Sequence, residues 1–171
     1  QTPYLYFFSQ ETIEGDPQEH NLDMGLSKSV HTVLGYDLNL ARNLRLKVEA
    51  YYQHLYDIPV EVDPSSFSLI NAGSGFARFF PDTLVNAGLG RNYGLELTLE
   101  KFFTQGYYFL ITGSFFDSKY QGSDGIWRNT TFNGRYAVNA LFARELRIGE
   151  SSRLQLGTKV TSIGGRWYGP V

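Results

Sequence analysis

Apolar and polar residues alternate along several stretches of the chain with a period of two. From Ser29 to Leu40 every second side chain is apolar or threonine, and from Leu44 to Gln53 one face is apolar while the other is largely charged. An amphipathic helix would spread these charges around its circumference, because its period is 3.6 residues. The alternation therefore predicts β-strands.

The same pattern predicts about seven strands in the whole chain. The further predicted strands are Thr2–Ser9, Tyr93–Phe103, Tyr107–Ser118, Thr131–Leu146 and Leu154–Ile163. A polar, acidic loop, Gln10–Asp23, follows the first of them. Several runs exceed ten residues, whereas a common soluble strand has about five or six. A tilted strand that crosses a membrane needs about 9–11 residues.

The predicted connections alternate between short and long. The short ones are Ala41–Asn43, Thr104–Gly106 and Arg147–Arg153, the long one is Val62–Gly90, and a medium one is Gln121–Arg128. Barrels of outer membranes have short periplasmic turns and longer extracellular loops. The predicted fold is therefore all-β: an antiparallel up-and-down meander of about seven strands that is part of a transmembrane β-barrel.

Two tight turns predict the register of two hairpins. The predicted opposite pairs are Leu40–Leu44, Asn39–Arg45 and Asp37–Lys47 in the first hairpin, and Phe103–Tyr107, Leu99–Ile111 and Thr98–Thr112 in the second. In both hairpins the apolar faces of the two strands then coincide, and in the first an opposite-charge pair comes together. Gly106 suits a left-handed turn position.

Four aromatic residues surround the second turn: Phe102, Phe103, Tyr107 and Tyr108. Aromatic side chains at a strand end are typical of the girdle that a membrane barrel places at the lipid–water boundary. A small aromatic cluster in a soluble protein is the alternative interpretation. A soluble barrel also alternates, with its apolar side turned inward.

Composition narrows the class of protein. Aromatic residues make up 16% of the chain and there are 18 glycines, which favours β-structure with many turns. The mean hydropathy is −0.26 and no run of 18 apolar residues occurs, which excludes a transmembrane helix but not membrane strands. The net charge of −2, without a basic patch, gives no indication of a nucleic-acid partner. The chain has no cysteine and therefore no disulfide or thiolate chemistry.

Both ends of the chain look cut. It begins at Gln1 without a signal-peptide pattern and stops just after a strand-like run. Seven strands do not close an even-numbered barrel, and an open sheet edge is not viable in lipid. The chain therefore either lacks its partner strands or is not in lipid as given. We expect the first, with residues 1–171 as a fragment of a single β-barrel domain.

An ordered series of segments, from about residue 25 to the end, resembles the late barrel region of TonB-dependent outer-membrane receptors, in particular the group with a carboxypeptidase-like N-terminal extension. These segments are Ser27–His31, Gly35–Asp37, Leu46–Gln53, Leu55–Val60, Pro64–Ser68, Gly90–Lys101, Tyr107–Leu110, Asp117–Tyr120, Arg128–Thr130, Phe132–Gly134 and Gly164–Arg166. The Gly94–Leu97 run is individually weak, because many outer-membrane strands carry it.

The resemblance implies a large barrel in the outer membrane of a Gram-negative bacterium that imports a scarce ligand with energy passed on by TonB. It implies outer-membrane lipid as the surroundings, the TonB complex as a partner through an N-terminal part, and a surface lipoprotein as a further candidate partner. The chain departs from the family pattern in having no plug domain, no TonB box and no terminal aromatic strand. It is therefore expected to be a segment of the barrel wall and its loops.

No catalytic constellation or metal motif is visible, so we expect neither an enzyme nor a cofactor. The three histidines, His20, His31 and His54, have no partner at metal-ligand spacing. Glu96 and Glu100 share a strand face but lie about 13 Å apart in an extended chain, too far for glycoside chemistry. They are interpreted as hydrated wall charges.

The loops are the predicted place of ligand recognition, because loops carry binding residues on rigid scaffolds. The predicted ligand-binding residues are Phe67, Phe76, Arg78, Phe79 and Phe80 in the long loop, and Trp127 and Arg128 in the next loop on the same side. Packing of these side chains against neighbouring loops is the alternative. The functional alternative to a receptor wall is a soluble β-barrel module that binds a small apolar ligand.

Overall fold

The structure, a computed structural model, describes residues 9–11, 17–19, 21, 24–72 and 83–167. Within these residues the chain is all-β. The strands are β1 (Ser9–Glu11), β2 (Pro17–Glu19), β3 (Lys28–Ala41), β4 (Leu44–Glu61), β5 (Leu84–Thr104), β6 (Tyr107–Gln121), β7 (Trp127–Asn129), β8 (Tyr136–Ile148) and β9 (Ser152–Ile163). A single 3₁₀ turn, Leu69–Asn71, is the helical segment among the described residues.

Seven strands form one open antiparallel sheet, so the predicted meander is confirmed. The order across the sheet is β3-β4-β5-β6-β8-β9, and β7 pairs with the far end of β6. The connections 42–43, 105–106 and 149–151 lie together at one end of the sheet, here called the short-turn end. The longer connections lie together at the opposite end, the long-loop end. The predicted alternation of short and long connections is therefore confirmed.

A small separate pair of strands precedes the sheet. β1 and β2 pair antiparallel, with Ser9 opposite Glu19. The prediction of a loop over Gln10–Asp23 was therefore wrong at β2 and at the end of β1, since both lie within that range. The predicted strand Thr2–Ser9 lies outside the described residues except for Ser9.

The first hairpin has the predicted register except at its tip. Asp37 lies opposite Lys47, and Asn39 lies opposite Arg45. The prediction that Leu40 lies opposite Leu44 was wrong, because the register shifts by one residue and places Ala41 opposite Leu44. The turn therefore has two residues rather than three, and Leu40 is the extra residue of a bulge.

The second hairpin deviates from its prediction in the same way. The predicted pairs Leu99–Ile111 and Thr98–Thr112 are present, but Thr104 rather than Phe103 lies opposite Tyr107. Both turn residues have positive φ, 53° at Gln105 and 78° at Gly106. Positive φ at both positions is the geometry of the tight turn that matches the twist of antiparallel strands. The predicted left-handed conformation of Gly106 is confirmed.

The strands at the long-loop end are longer than alternation predicted. β5 begins at Leu84, so the long connection covers residues 62–83 rather than Val62–Gly90. The pairing of β4 with β5 is irregular near Ile58, where Asp57 has a φ of 56°. These irregularities and the glycines of β5 interrupt the period of two, which is why the sequence pattern ended too early.

The predicted strand Thr131–Leu146 begins later and ends later than expected. β8 starts at Tyr136, and residue 135, with a φ of 66°, belongs to the preceding connection. The predicted medium loop Gln121–Arg128 is also corrected, because β6 runs to Gln121 and Trp127 and Arg128 lie in the short strand β7 rather than in a loop.

The two faces of the sheet differ in chemistry. Aligned rows on one face, the apolar face, include Leu38–Leu46–Leu99–Ile111–Ala140–Val160 and Leu34–Ala50–Leu95–Phe115–Tyr136. The other face, the polar face, includes the row Gly35–Glu49–Glu96–Ser114–Ala137. Apolar side chains remain open on the first face, with Leu34 77% and Val160 61% exposed.

The buried residues are concentrated at the long-loop end. Among the described residues, the buried apolar side chains are Ile58, Val60, Leu84 and Tyr120. No described element covers the middle of either face, and the outer strands β3 and β9 are exposed along their whole lengths. The packed part of the molecule is therefore the base of its long connections.

Candidate functional site

The connection after β4 is tied to the connection after β6 by hydrogen bonds. The Ser65 N–H donates to Ser123 Oγ at 3.0 Å, and Ser123 Oγ donates to the Asp63 carbonyl at 2.7 Å. The Thr131 N–H donates to Asn71 Oδ1 at 2.7 Å. The long-loop end is therefore a joined surface, although its strands are far apart in sequence.

Two glycines, one in the connection after β6 and one in β5, allow close approach of the long connection. A Cβ at Gly122 would lie 2.4 Å from the carbonyl oxygen of Ser65, and a Cβ at Gly90 would lie 2.5 Å from Cδ1 of Ile70. The backbone carbonyl of Ser65 cannot move as freely as a side-chain end. Gly122 therefore marks a close backbone contact between the two connections.

The predicted ligand-binding residues are only partly within the described structure. Phe67 lies in the long connection, and its carbonyl oxygen is 3.2 Å from the Cβ position of Gly122. Trp127 and Arg128 lie in β7 at the same end of the sheet. The other four, Phe76, Arg78, Phe79 and Phe80, lie outside the described residues. The structure thus brings Phe67 close to the segment that leads to Trp127.

Arg128 holds the turn that precedes β7. Its guanidinium donates to both carboxylate oxygens of Asp124, at 2.9 and 2.5 Å. The Ile126 N–H donates to the same carboxylate at 3.1 Å. These hydrogen bonds, that from Arg128 foremost, hold the pKa of Asp124 below its ordinary value. Arg128 therefore has a local structural role, and its contact with a ligand stays a prediction.

Trp127 faces a different neighbour. The Arg91 guanidinium lies over its indole ring at 4.4 Å from the centroid, within the range of a cation–π interaction. Arg91 belongs to β5, and it shares the apolar face with Tyr93 and Leu95, because the pairing is regular through this part of the strand. Trp127 is thus on the outer margin of the apolar face, whereas Phe67 is in the long connection.

A depression of 480 Å³ lies on the polar face below the long-loop end. Aromatic rings and hydrogen-bonding side chains line it together: His31, Tyr51, Gln53, Asn92, Glu96, Phe116, Ser118 and Phe132. Such a mixture is typical of a site for a polar ligand that also has an apolar surface. The sequence prediction missed this site, because it interpreted the polar face only as hydrated wall.

A ladder of side-chain hydrogen bonds crosses four strands at this depression. Gln53 donates to Ser29 at 3.0 Å, and Asn92 donates to Gln53 at 2.8 Å. Ser118 donates to Asn92 at 2.6 Å, and Thr130 donates to Ser118 at 2.9 Å. The ladder holds these polar groups in fixed positions, so the site is organised before any ligand arrives.

The charge of the depression is negative. Glu49 and Glu96 lie directly opposite each other on neighbouring strands. Lys47 pairs with Glu49 at 2.7 Å, while Glu96 forms no ion pair within the described part of the chain. The depression can therefore accept hydrogen bonds from hydroxyl, amide or ammonium groups of a ligand.

The histidines of the described residues make aromatic contacts. His31 meets Tyr51 edge to face at 5.9 Å, and His54 stacks on Tyr56 at 5.7 Å. No group of three metal-ligating side chains occurs among residues 9–11, 17–19, 21, 24–72 and 83–167. Over the same residues, no helix is long and apolar enough to span a membrane.

Comparisons with protein-family models, with curated proteins and with solved structures returned no match for this chain.

Proposed function

We propose that this chain is a segment of the wall of a TonB-dependent receptor that imports a scarce ligand across the outer membrane of a Gram-negative bacterium. In this proposal the apolar face contacts lipid and the polar face lines a hydrated interior. The TonB complex supplies energy through another part of the protein, and a surface lipoprotein is a candidate partner at the long-loop end. The chain itself has no catalytic role.

The observation that carries the proposal is the position of two cations on the apolar face of β5. Arg91 stacks on Trp127 at 4.4 Å, and the Lys101 ammonium lies 4.6 Å from the ring centroid of Tyr107. Ten residues separate Arg91 from Lys101, and the pairing between them is regular. The residues between them on this face are Tyr93, Leu95, Leu97 and Leu99.

The distance between these two cations along the strand matches the thickness of the apolar part of an outer membrane. Ten residues of an antiparallel strand span about 34 Å. With the tilt of about 40° that barrel strands adopt, the span along the membrane normal is about 26 Å, close to the roughly 25 Å apolar band of an outer-membrane barrel. Each cation lies beside an aromatic ring at its boundary, which is where amphipathic side chains meet lipid headgroups.

The open sheet supports the same proposal. Large exposed apolar surfaces on a soluble protein mark a place where something else binds. Lipid would cover the apolar face along its whole extent, and further strands would pair with the edges of β3 and β9. A soluble ligand-binding module would instead need its apolar face turned inward, away from water.

The depression on the polar face is the proposed contact site for the imported ligand. It lies at the long-loop end, where Phe132 from the connection between β7 and β8 lines it, and loops at such a position commonly carry ligand contacts. The hydrogen-bond ladder would orient a ligand that carries polar groups.

Adjacent cysteine substitutions at Leu97 and Thr98 test the proposal, because these residues face opposite sides of the sheet. In the intact protein, a fluorophore on Leu97→Cys is expected to be quenched by lipids that carry a spin label, and to be insensitive to a water-soluble quencher. A fluorophore on Thr98→Cys is expected to show the reverse. The chain contributes no other cysteine that would confuse the labelling.

The soluble alternative gives a different result. If the protein is monodisperse in plain buffer and the probe at residue 97 is shielded without lipid, the membrane wall is excluded. A pull-down of the intact protein with the periplasmic domain of TonB then tests the transport class separately. Absence of binding would exclude a TonB-dependent receptor while leaving a membrane barrel in place.

A further inference from the structure

Among the residues that the structure describes, no acidic side chain pairs with the cation Arg91. Its Nε atom is buried and has no hydrogen-bond partner, and the residue forms no ion pair within the described part of the chain. Its guanidinium stacks on the indole ring of Trp127, 4.4 Å from the ring centroid. A guanidinium has five N–H donors in a planar fork that suits carboxylate and phosphate groups. The stacking fixes the plane of this fork without using its donors.

Two lysines and a histidine lie in the same part of the apolar face. His54 lies opposite Arg91 on β4, and Lys119 lies opposite Arg91 on β6. Lys28 lies on β3, the next strand beyond β4, opposite Tyr56. We call Lys28, His54, Arg91, Lys119 and Trp127 the basic rim.

Two acidic residues of the described part of the chain lie near the basic rim, and both are already paired. Asp57 pairs with Lys28 at 2.8 Å, and Asp117 pairs with Lys119 at 3.4 Å. Asp117 also accepts hydrogen bonds from Tyr93 at 2.9 Å and from Asn133 at 2.7 Å. Both lysines are thus compensated, whereas Arg91 is not. The free positive charge of the rim is located at Arg91.

The position of the rim indicates what it binds. It follows directly after the apolar residues of the sheet, on the same face, at the long-loop end. If this face contacts lipid, as in the proposed function on which this inference rests, the rim lies at the level of the lipid headgroups. The groups at that level that match a guanidinium are phosphates, and bidentate pairing with phosphate is among the strongest hydrogen-bonded contacts of arginine.

We propose that Arg91, oriented by Trp127 and flanked by His54 and Lys119, is a binding site for the phosphate group of an outer-leaflet lipid. The acyl chains of that lipid would lie against the Leu95 and Phe115 part of the apolar face. The site would hold one lipid on the wall of the protein, outside the path of the imported ligand.

Native mass spectrometry of the intact protein in detergent tests this site. The probes are lipid A with both phosphates, the same lipid with its phosphates removed, and inorganic phosphate. Wild-type protein is expected to retain lipid A, and Arg91→Gln is expected to weaken that binding about tenfold. The dephosphorylated lipid should bind wild type and Arg91→Gln equally.

Two further variants make the test specific. Arg147→Gln removes the same charge from the polar face of β8 and should leave lipid A binding unchanged. Arg91→Lys keeps the charge but loses the fork, so its affinity should lie between those of wild type and Arg91→Gln. Heat-dependent electrophoretic mobility checks that each variant is folded.

Three outcomes would overturn the site. Equal binding of lipid A by wild type and folded Arg91→Gln would show that Arg91 does not bind the lipid. Displacement of lipid A by millimolar inorganic phosphate assigns the site to a free anion rather than to a lipid. Failure of the wild-type protein to float with liposomes would exclude the proposed membrane function itself. Flotation is a separate assay, so its result does not depend on the measurement of lipid A binding.

Discussion

The carbonyl oxygen of Gly134 lies only 1.6 Å from the position that a Cβ atom on Gly164 would occupy. The Gly164 N–H donates to the Tyr136 carbonyl at 2.9 Å, and the Trp167 N–H donates to the Thr131 carbonyl at 3.2 Å. The segment after β9 is thus held against the connection before β8. Glycine at residue 164 is what allows the two backbones to meet.

The variant Gly164→Ala is expected to separate this segment from the connection, because the overlap involves backbone rather than a flexible side chain. The substitution is expected to lower the free energy of local unfolding of this segment by about 1–3 kcal/mol. Gly165→Ala is the matched control, since a Cβ there has no neighbour within 4 Å. Limited proteolysis of the 164–167 segment measures the difference. Equal cleavage rates for the two variants would contradict the contact.

The register of the first hairpin predicts a selective disulfide. Asp37→Cys with Lys47→Cys is expected to cross-link under oxidising conditions, because directly opposite residues have Cβ atoms about 4.5–5.5 Å apart. Asp37→Cys with Arg45→Cys is expected to cross-link poorly, because a diagonal pair lies about 7–8 Å apart. Electrophoresis without reductant distinguishes the two. A faster reaction of the diagonal pair would show that the register is shifted by two residues.

The turn between β5 and β6 predicts opposite effects at adjacent positions. Gly106→Ala should destabilise the hairpin by about 1 kcal/mol, because alanine tolerates a left-handed backbone poorly. Gln105→Asn should stabilise it, since asparagine accepts positive φ and Asn-Gly is the preferred sequence for this turn. The midpoint of urea unfolding is the measurement. A loss of stability in Gln105→Asn would mean that the side chain of Gln105 has a role beyond its backbone conformation.

The ion pair between Asp124 and Arg128 predicts a response to acid. The pKa of Asp124 is lowered from its ordinary value of 3.8 by the hydrogen bond from Arg128. The stabilisation of the folded state by the Asp124–Arg128 ion pair is therefore fully present above pH 3.8. It is lost as the pH falls through the lower pKa that Asp124 has in the folded state. Trp127 fluorescence should change in this acidic range in the wild-type protein.

The variant Asp124→Asn isolates that response, because it keeps the shape of the side chain and removes its titration. Its Trp127 fluorescence should lack the acidic transition. Glu150→Gln, in an exposed turn at the short-turn end, is a control that should retain it. If Asp124→Asn keeps the full transition, another group is responsible for it.

Alternation of apolar and polar residues was sufficient to predict the central strands and their order. Successive side chains of a strand point to opposite faces of the sheet, so the polarity of each residue indicates the face on which it lies. It failed at the hairpin tips, where Leu40 and Phe103 fall at bulges. A bulge is a property of how two strands pair, so a pattern read along one strand does not reveal it.

The ion pairs of the first hairpin also differ from the prediction, because they too depend on how the two strands pair. Lys47 lies opposite Asp37 as predicted, but Asp37 accepts hydrogen bonds from the diagonal neighbour Arg45, at 2.9 Å from Nε, while Lys47 pairs with Glu49.

The candidate site shows the same limit more strongly. The sequence indicated that Tyr51, Gln53 and Glu96 share the character of a hydrated face. It did not indicate that Phe132, 36 positions beyond Glu96, would line the same depression. That proximity depends on the connection between β7 and β8 returning to the sheet. Trp127 was predicted as a loop residue for ligand contact, whereas its partner Arg91 comes from a strand on the apolar face.

The directions of the outer strands have a consequence for how such a sheet can be assembled. β3 starts at the long-loop end with Lys28, and β9 returns to that same end with Ile163. The main strands therefore form complete hairpins, and the chain enters and leaves the unit on one side. Duplication, removal or exchange of the whole unit would leave the orientation of every flanking strand unchanged. A unit of this kind can change the number of strands in a β-meander without reversing the rest of it.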